Sequence, residues 1–252
     1  MGIVFYTCVT HGYDSFVPKP ASQGLSAKFV CFTNDVSLHA SGWEIRSLAS
    51  PVDLVRADHI NRWHKFFAHD IFPDADVSIY IDGNVAISAD WSDLIVSFVK
   101  SGAGFSCFFH SQRDSVYQEM EACRIQGKFK HGDEVLCVAQ LEAYKALGFP
   151  GDSRLLAATV LFRRHGSSLL REAMSLWWEQ VNSYTCRDQL SLPFVLWKTG
   201  LPFFGMKLDV LRSNIYMFRV PHKCSNVDFL LRRLRNRVRS LWARGLRGRL
   251  LS

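Results

Sequence analysis

Val77-Ser78-Ile79-Tyr80-Ile81-Asp82-Gly83-Asn84-Val85 is the stretch that decides the fold. Four β-formers, Val77, Ile79, Tyr80 and Ile81, run into a turn triplet, and apolar residues resume at Val85 and Ile87. This pattern predicts a buried strand that stops abruptly and presents a carboxylate and an amide at its carboxyl edge. In open α/β sheets that edge is where ligands bind. Asp82 and Asn84 are two residues apart, so their oxygens can face one side, and Gly83 lets a ligand approach the backbone. Hard oxygen donors of this kind suit Mg²⁺ or Mn²⁺, which can bridge protein to a diphosphate. Asp-Gly and Gly-Asn are also ordinary turn pairs, and taken alone the triplet is better accounted for by a plain turn without function.

Working outward, Ile3-Val4-Phe5-Tyr6-Thr7-Cys8-Val9 reads as a buried first strand opening into Thr10-His11-Gly12-Tyr13-Asp14. Tyr13 could stack on a base and Asp14 accept from it; a tyrosine packed over the sheet edge is the plainer alternative. Lys28 to Thr33 is a second strand and Trp43 to Leu48 a third, at an edge. A helix is expected from Pro51 to about Ile71, with Arg56, Arg62, His64, Lys65 and His69 mostly on solvated faces and one or more of Arg56, Arg62 and Lys65 able to reach a phosphate. Helices are expected from Asp90-Trp91 to Lys100, from Arg113-Asp114 onward, from Asp133 to Leu147, from the Ser167 cap to Val181, and from Arg187-Asp188-Gln189 to Trp197. Strands are expected at 103–109, ending at His110, at 155–162 and at 214–218.

The chain has 252 residues, 48% of them hydrophobic, enough for one large α/β domain. Its net charge of +7 is concentrated in residues 229–252, which hold eight arginines and no acid. The remainder balances 22 basic against 23 acidic residues. The simplest partition is a mixed α/β domain over 1–228 and a basic tail over 229–252. Seven cysteines without a C-x-x-C pair point to reduced, buried thiols rather than a zinc site or disulfide scaffold. No signal peptide is evident, and no segment reaches the ~18 apolar residues needed to span a bilayer.

Five stretches in this order form a recognisable set: Phe29 to Asp35; Ile79 to Asn84; His110-Ser111-Gln112-Arg113-Asp114-Ser115-Val116-Tyr117-Gln118-Glu119; Trp177-Trp178; and Arg187-Asp188-Gln189-Leu190-Ser191. Together they resemble the glycosyltransferase-like domain, long catalogued as of unknown function, of plant cell-wall and mucilage proteins and of bacteria. The resemblance implies a GT-A-type fold, a Rossmann-like mixed sheet flanked by helices, binding a nucleotide-diphospho-sugar with Mn²⁺ or Mg²⁺. It implies that Asp82 and Asn84 stand in the D-x-D metal element, an amide replacing the second carboxylate, and that His222 completes the metal set. Lys223 would help neutralise the leaving diphosphate, with Lys65, Tyr13 and Asp14 also on the donor and Arg113 and Asp114 on sugar or phosphate. Asp188 is the expected catalytic carboxylate, either a general base or a support for an oxocarbenium-like state, with Arg187 and Gln189 placing donor or acceptor.

In the tail, Leu230, Leu231, Leu234, Val238, Leu241 and Trp242 fall at helical spacing between arginines. That is the profile of a basic amphipathic helix lying on an anionic membrane surface. Basic segments also bind nucleic acid, but the apolar stripe with Trp242 favours membrane. The expected protein is a cytoplasmic glycosyltransferase, peripheral on the inner membrane face, acting on a glycan or lipid-linked acceptor. The alternatives are a GT-A-like sugar-nucleotide-binding protein without turnover and a nucleic-acid-binding protein working through the tail.

Overall fold

The computed structural model describes residues 1–51, 54–152, 154–210, 212–223, 230–232, 234, 235 and 238. Its centre is a seven-stranded mixed sheet. The strands are β1 Ile3–Val9, β2 Ala27–Thr33, β3 Glu44–Arg46, β4 Val77–Ile81, β6 Phe105–Phe109, β7 Leu156–Arg164 and β8 Phe203–Met206, in the order β3-β2-β1-β4-β7-β6-β8. β5 Val85–Ile87 and β9 Met217–Arg219 form a separate antiparallel ribbon. β1, β2, β3 and β4 are mutually parallel, and β7 runs antiparallel between β4 and β6.

β1 is buried along its whole length, and its side chains alternate between two cores, as the pleat requires. Val4, Tyr6 and Cys8 join the layer containing Phe66, Trp177 and Phe194. Ile3 and Phe5 join the opposite layer with Trp91, Phe98 and Phe162. The helices are α1 Ala57–Phe66, α2 Ala68–Ile71, α3 Ser92–Lys100, α4 Val116–Ile125, α5 Asp133–Ala146, α6 Ser168–Ser183 and α7 Asp188–Thr199. Phe66 of α1 stacks on Trp177 of α6 with ring centroids 4.1 Å apart, which fixes the end of α1 against the sheet.

The expected α/β architecture is the one observed, with several local differences. The expected helix from Pro51 is not helical at 51 or at 54–56, and Phe67 divides the rest into α1 and α2. His64, Lys65 and His69, expected on solvated faces, are buried. His64 is held by its Nδ1 against the Ile60 carbonyl at 2.8 Å, while its Nε2 accepts from the Ala49 amide at 2.9 Å. Lys65 is buried because an acid on α7 reaches it. The helix expected from Arg113 begins three residues later, where Ser115 caps it by accepting from the Gln118 amide. β8 is not marked by its sequence, since Pro202 and Gly205 break the β pattern.

The turn triplet does not close a hairpin. The Val85 amide donates to the Asp82 carbonyl at 2.9 Å, so a turn is present. Yet β4 and β5 do not pair; β5 leaves for the ribbon with β9, matching Val85 to Arg219. The chain therefore turns off the main sheet immediately after Asp82, and the β9 end is brought beside the β4 edge. Of the tail stripe, Leu230, Leu231, Leu234 and Val238 are exposed; Leu241 and Trp242 lie outside the described residues.

Candidate active site

The carboxyl ends of β1, β4 and β6 open on one cleft of about 650 Å³. It is lined by Thr10, Tyr13 and Asp14 after β1, by Asp82 and Gly83 after β4, and by His110 and Arg113 after β6. α1 contributes Asp58, Asn61, Arg62 and Lys65, and the start of α7 contributes Arg187, Asp188 and Gln189.

The floor is an ion cluster. Lys65, 2% exposed, places Nζ 2.6 Å from Asp188 Oδ2 and 3.5 Å from Asp82 Oδ1. Arg62 Nε is 3.3 Å from the same Asp188 oxygen. The Lys65 ammonium also sits 4.9 Å from the Tyr80 ring centre, a cation–π contact. Burial pushes the Asp188 carboxyl up, but Arg62 and Lys65 outweigh it and hold the group down at about 2. Asp188 is therefore ionised in the folded protein at any ordinary pH. A carboxylate held that low is a poor proton acceptor, because an effective general base needs a pKa near the working pH. Its chemistry is that of a fixed negative charge.

At the other end, His222 Nδ1 lies 2.6 Å from Asp14 Oδ1, and the Tyr13 ring rests against the His222 ring with centroids 4.5 Å apart. Asp14 is buried although it is 68 residues from Asp82, because it packs over Gly83. A Cβ on Gly83 would lie 2.7 Å from Asp14 Oδ2 and 2.7 Å from Val9 Cγ2. Glycine is needed here for space.

Asn84 has a clear structural use. Its backbone carbonyl accepts from the Val220 amide at 2.8 Å, and its side-chain amide donates to the Val220 carbonyl at 3.1 Å. These two bonds hold the segment that carries His222 against the β4 edge. An ionised aspartate could not donate the second one. Asn84 Oδ1 is buried without a partner, the kind of atom a hard cation takes. The carboxylates of Asp14 and Asp82, the Asn84 amide oxygen and the His222 imidazole are of the donor types that suit Mn²⁺ or Mg²⁺. Among the described residues, no three His, Cys, Asp or Glu side chains sit close enough together to hold an ion as they stand.

The TOD1/MUCI70, glycosyltransferase-like domain family model matches residues 53–223. The chain belongs to this family. It is also similar to the probable hexosyltransferase MUCI70 of Arabidopsis thaliana, at 28% identity over 180 residues, covering 67% of this chain and 30% of that protein. The chain thus spans about 30% of the length of this curated relative. Among solved structures it is similar to mouse xyloside xylosyltransferase 1 in its apo form, at 9% identity and TM-score 0.47 over 81% of this chain and 84% of that one. It is also similar to a glycosyltransferase involved in glycosylation of the major capsid of PBCV-1, at 10% identity and TM-score 0.38 over 66% and 68% of the two chains.

Set against this TOD1/MUCI70-type domain, the expected site residues fall into two groups. Tyr13, Asp14, Lys65, Asp82, Arg113, Arg187, Asp188, Gln189 and His222 all line the cleft. Asp114, Asn84 and Lys223 do not. Asp114 is exposed, and its backbone is engaged by Gln118 Oε1 and the Leu155 amide. Lys223 donates to the Gly12 carbonyl, closing the Tyr13 loop onto the His222 segment.

Three cleft residues had no sequence signal strong enough to single them out. Asp58 accepts from Lys130 Nζ at 2.7 Å and from Arg56, which joins α1 to the loop before α5. Burial raises the Asp58 carboxyl, yet Arg56 and Lys130 hold it well below the usual carboxylate range. Asn61 Nδ2 donates to the Cys8 carbonyl at 2.7 Å. Arg62 is one of several recurring cations on the α1 sequence, and its link to Asp188 spans 126 positions of sequence.

Proposed function

We propose that the domain transfers a glycosyl unit from a nucleotide-diphospho-sugar to a glycan or lipid-linked acceptor, with help from a divalent cation. One observation supports the reading above the others. Asp82 and Asp188 share the buried Lys65 on the floor of a cleft at the carboxyl edge of the sheet, in a glycosyltransferase-like domain. Departure of a nucleoside diphosphate develops negative charge on phosphate and positive charge on the sugar, and the floor offers both complements. Asp188 is the fixed anion for the oxocarbenium-like sugar, and Lys65 and Arg62 keep it ionised. Arg187 and Gln189, on either side of it, place the sugar. Tyr13 offers a stacking face for the base beside His222.

Asp82 and Asn84, with His222 and the adjacent Asp14, would hold Mn²⁺ or Mg²⁺. Bound there, the ion would neutralise charge on the departing diphosphate. Asn84, by tethering Val220, keeps His222 at the rim. The tail over 229–252 is assigned to an anionic membrane surface, where a lipid-linked acceptor is found, and the domain to the cytoplasmic side of that membrane. No described helix is long and apolar enough to cross a bilayer.

A thermal-shift screen of UDP- and GDP-sugars with and without Mn²⁺, followed by sugar-release assays on the hits, tests the reading. At least one donor should stabilise the protein only with metal, and Asp82→Ala and Asp188→Ala should each abolish release. Full turnover in both variants refutes the assignment. A second reading, a sugar-nucleotide-binding protein without turnover, is favoured by the commitment of the Asn84 amide to Val220. Nucleotide binding with no sugar release in any donor would select it. Liposome flotation of the full chain against one ending at Asp228 tests the tail; equal binding removes the membrane assignment.

A further inference from the structure

The cleft has a second charged region that the ion cluster on its floor does not use. Arg113 follows β6 and Arg187 caps α7, and both turn toward one carboxylate, Glu119 of α4. Glu119 is fully buried. Arg113 Nε lies 2.6 Å from Glu119 Oε2, too bent an approach for a hydrogen bond, and Arg187 Nη2 lies 3.6 Å from Oε1. Cys123 donates its thiol to Oε1 at 3.4 Å. A single buried acid thus holds two guanidiniums from behind, and both line the cleft.

Lys128 lines the same wall, and among the described residues it has no recorded ion pair. The nearby imidazole adds no compensating charge. His110 places Nε2 2.7 Å from Arg113 Nη2, and burial followed by Arg113 lowers its pKa, so it stays neutral. Of the acids near this wall, Asp58 is paired by Arg56 and Lys130 and Asp209 by Arg212, while Asp133 accepts from the Lys130 amide at 2.9 Å and keeps its charge, which does not outweigh the cations. Three cations against Glu119 leave a net positive fork facing the cleft. Guanidiniums paired in this way match the planar or tetrahedral oxygens of a carboxylate or phosphate.

The position of the fork separates it from the diphosphate end. Asp82 stands at the end of β4 and Arg113 after β6, with β7 between them. Two strand spacings are about 10 Å. Asp14 and His222 lie on the far side of β4, beside β1.

We infer that the Arg113–Arg187–Lys128 fork, anchored by Glu119, binds an oxyanion on the acceptor, so that the acceptor is an acidic glycan or a phosphorylated, lipid-linked sugar. The inference rests on the glycosyl-transfer reading above only in calling this ligand the acceptor.

Saturation-transfer NMR titrations of the full chain with methyl glucoside, methyl glucuronide and glucose 1-phosphate test it, with UDP and GDP titrated by calorimetry in parallel. At least one anionic probe should bind tenfold or more tightly than methyl glucoside. Lys128→Gln, an exposed position, should shrink that preference severalfold with nucleoside diphosphate affinity within twofold of wild type, and Arg187→Gln should shrink it severalfold as well. Preference for glucuronide identifies a carboxylated glycan, and preference for glucose 1-phosphate a phosphorylated acceptor. Equal binding or no binding of the three probes overturns the inference, and so does an anionic preference that survives both variants. It is also overturned if UDP or GDP binding falls in step with the anionic probe in Lys128→Gln, since the fork would then serve the donor. Failure of both nucleotides to bind the wild type counts instead against the glycosyl-transfer reading, and leaves the ranking of the three probes to decide the fork.

Discussion

Asp188→Asn removes one negative charge from a buried cluster and leaves Lys65 and Arg62 facing each other across a neutral amide. The carboxyl is held at about 2 in the folded protein, against an ordinary value of 3.8. At 1.36 kcal/mol per unit, the ionised form contributes about 2 kcal/mol to folding at neutral pH. The direction follows from the depressed value. This stability is present in full above the unfolded-state pKa and is lost as pH falls through the folded one. The window is therefore roughly pH 4 down to pH 2. Urea unfolding at pH 7 should show the variant less stable by about 2 kcal/mol, a fall in Tm of about 4–8 °C for a domain of this size. At pH 3 the difference between wild type and variant should shrink to about half, because the unfolded chain's carboxyl, with its ordinary value of 3.8, has already taken up its proton in most molecules there. Sugar release should be lost at pH 7 independently of the unfolding result. A variant as stable as wild type at pH 7, or a difference that stays constant from pH 7 to pH 3, refutes the account of Asp188 as a fixed anion.

Other substitutions probe the remaining contacts. Asn84→Asp should cost about 2 kcal/mol in urea unfolding, because the Val220 carbonyl loses its donor and faces a carboxylate instead. Glu119→Ala should cost about 3 kcal/mol, read as a Tm lower by about 6–12 °C, because two guanidiniums lose their common buried partner. Gly83→Ala should lower stability by about 1–3 kcal/mol, since its Cβ meets both Asp14 and Val9 at 2.7 Å. Its NMR spectrum should also show His222 shifted, as Asp14 is pushed off the imidazole.

The sheet was legible in the sequence because strands buried on both faces need unbroken runs of β-formers, and β1, β2, β4 and β7 have them. The ends of those runs located Asp14, Asp82 and His110 at one edge. The start of α7 was legible for the same kind of reason, with Asp188 in the first turn of an apolar helix. The pairing within the site was not legible. Lys65 lies on a ten-residue helix whose cations look alike in sequence, and only the packing of α1 on α6, and of α6 on α7, brings it to Asp188. Glu119 looks like any polar residue of α4, and its burial depends on Arg113 and Arg187 arriving from two other elements. The β5–β9 ribbon was missed because a three-residue strand has too little pattern to reveal its partner across 130 residues.

The amide in the turn triplet makes the same point at one position. Read alone, Asn84 is a weakened metal ligand, one negative charge short of the expected pair. In the folded chain its nitrogen is the group that matters locally, because it ties Val220 and hence His222 to the edge of β4. A carboxylate stands nearby: Asp14, 5% exposed and packed over Gly83, faces His222 from the loop after β1. On the proposed reading, a carboxylate from the loop after β1 and a tether from the amide would together do what two acids in one turn would do, and they hold the imidazole as well. If that is how the charge is restored, Asp14→Asn should weaken Mn²⁺ binding, followed by electron paramagnetic resonance titration, at least as much as Asn84→Ala does. The reverse order would return the role of second ligand to the triplet itself.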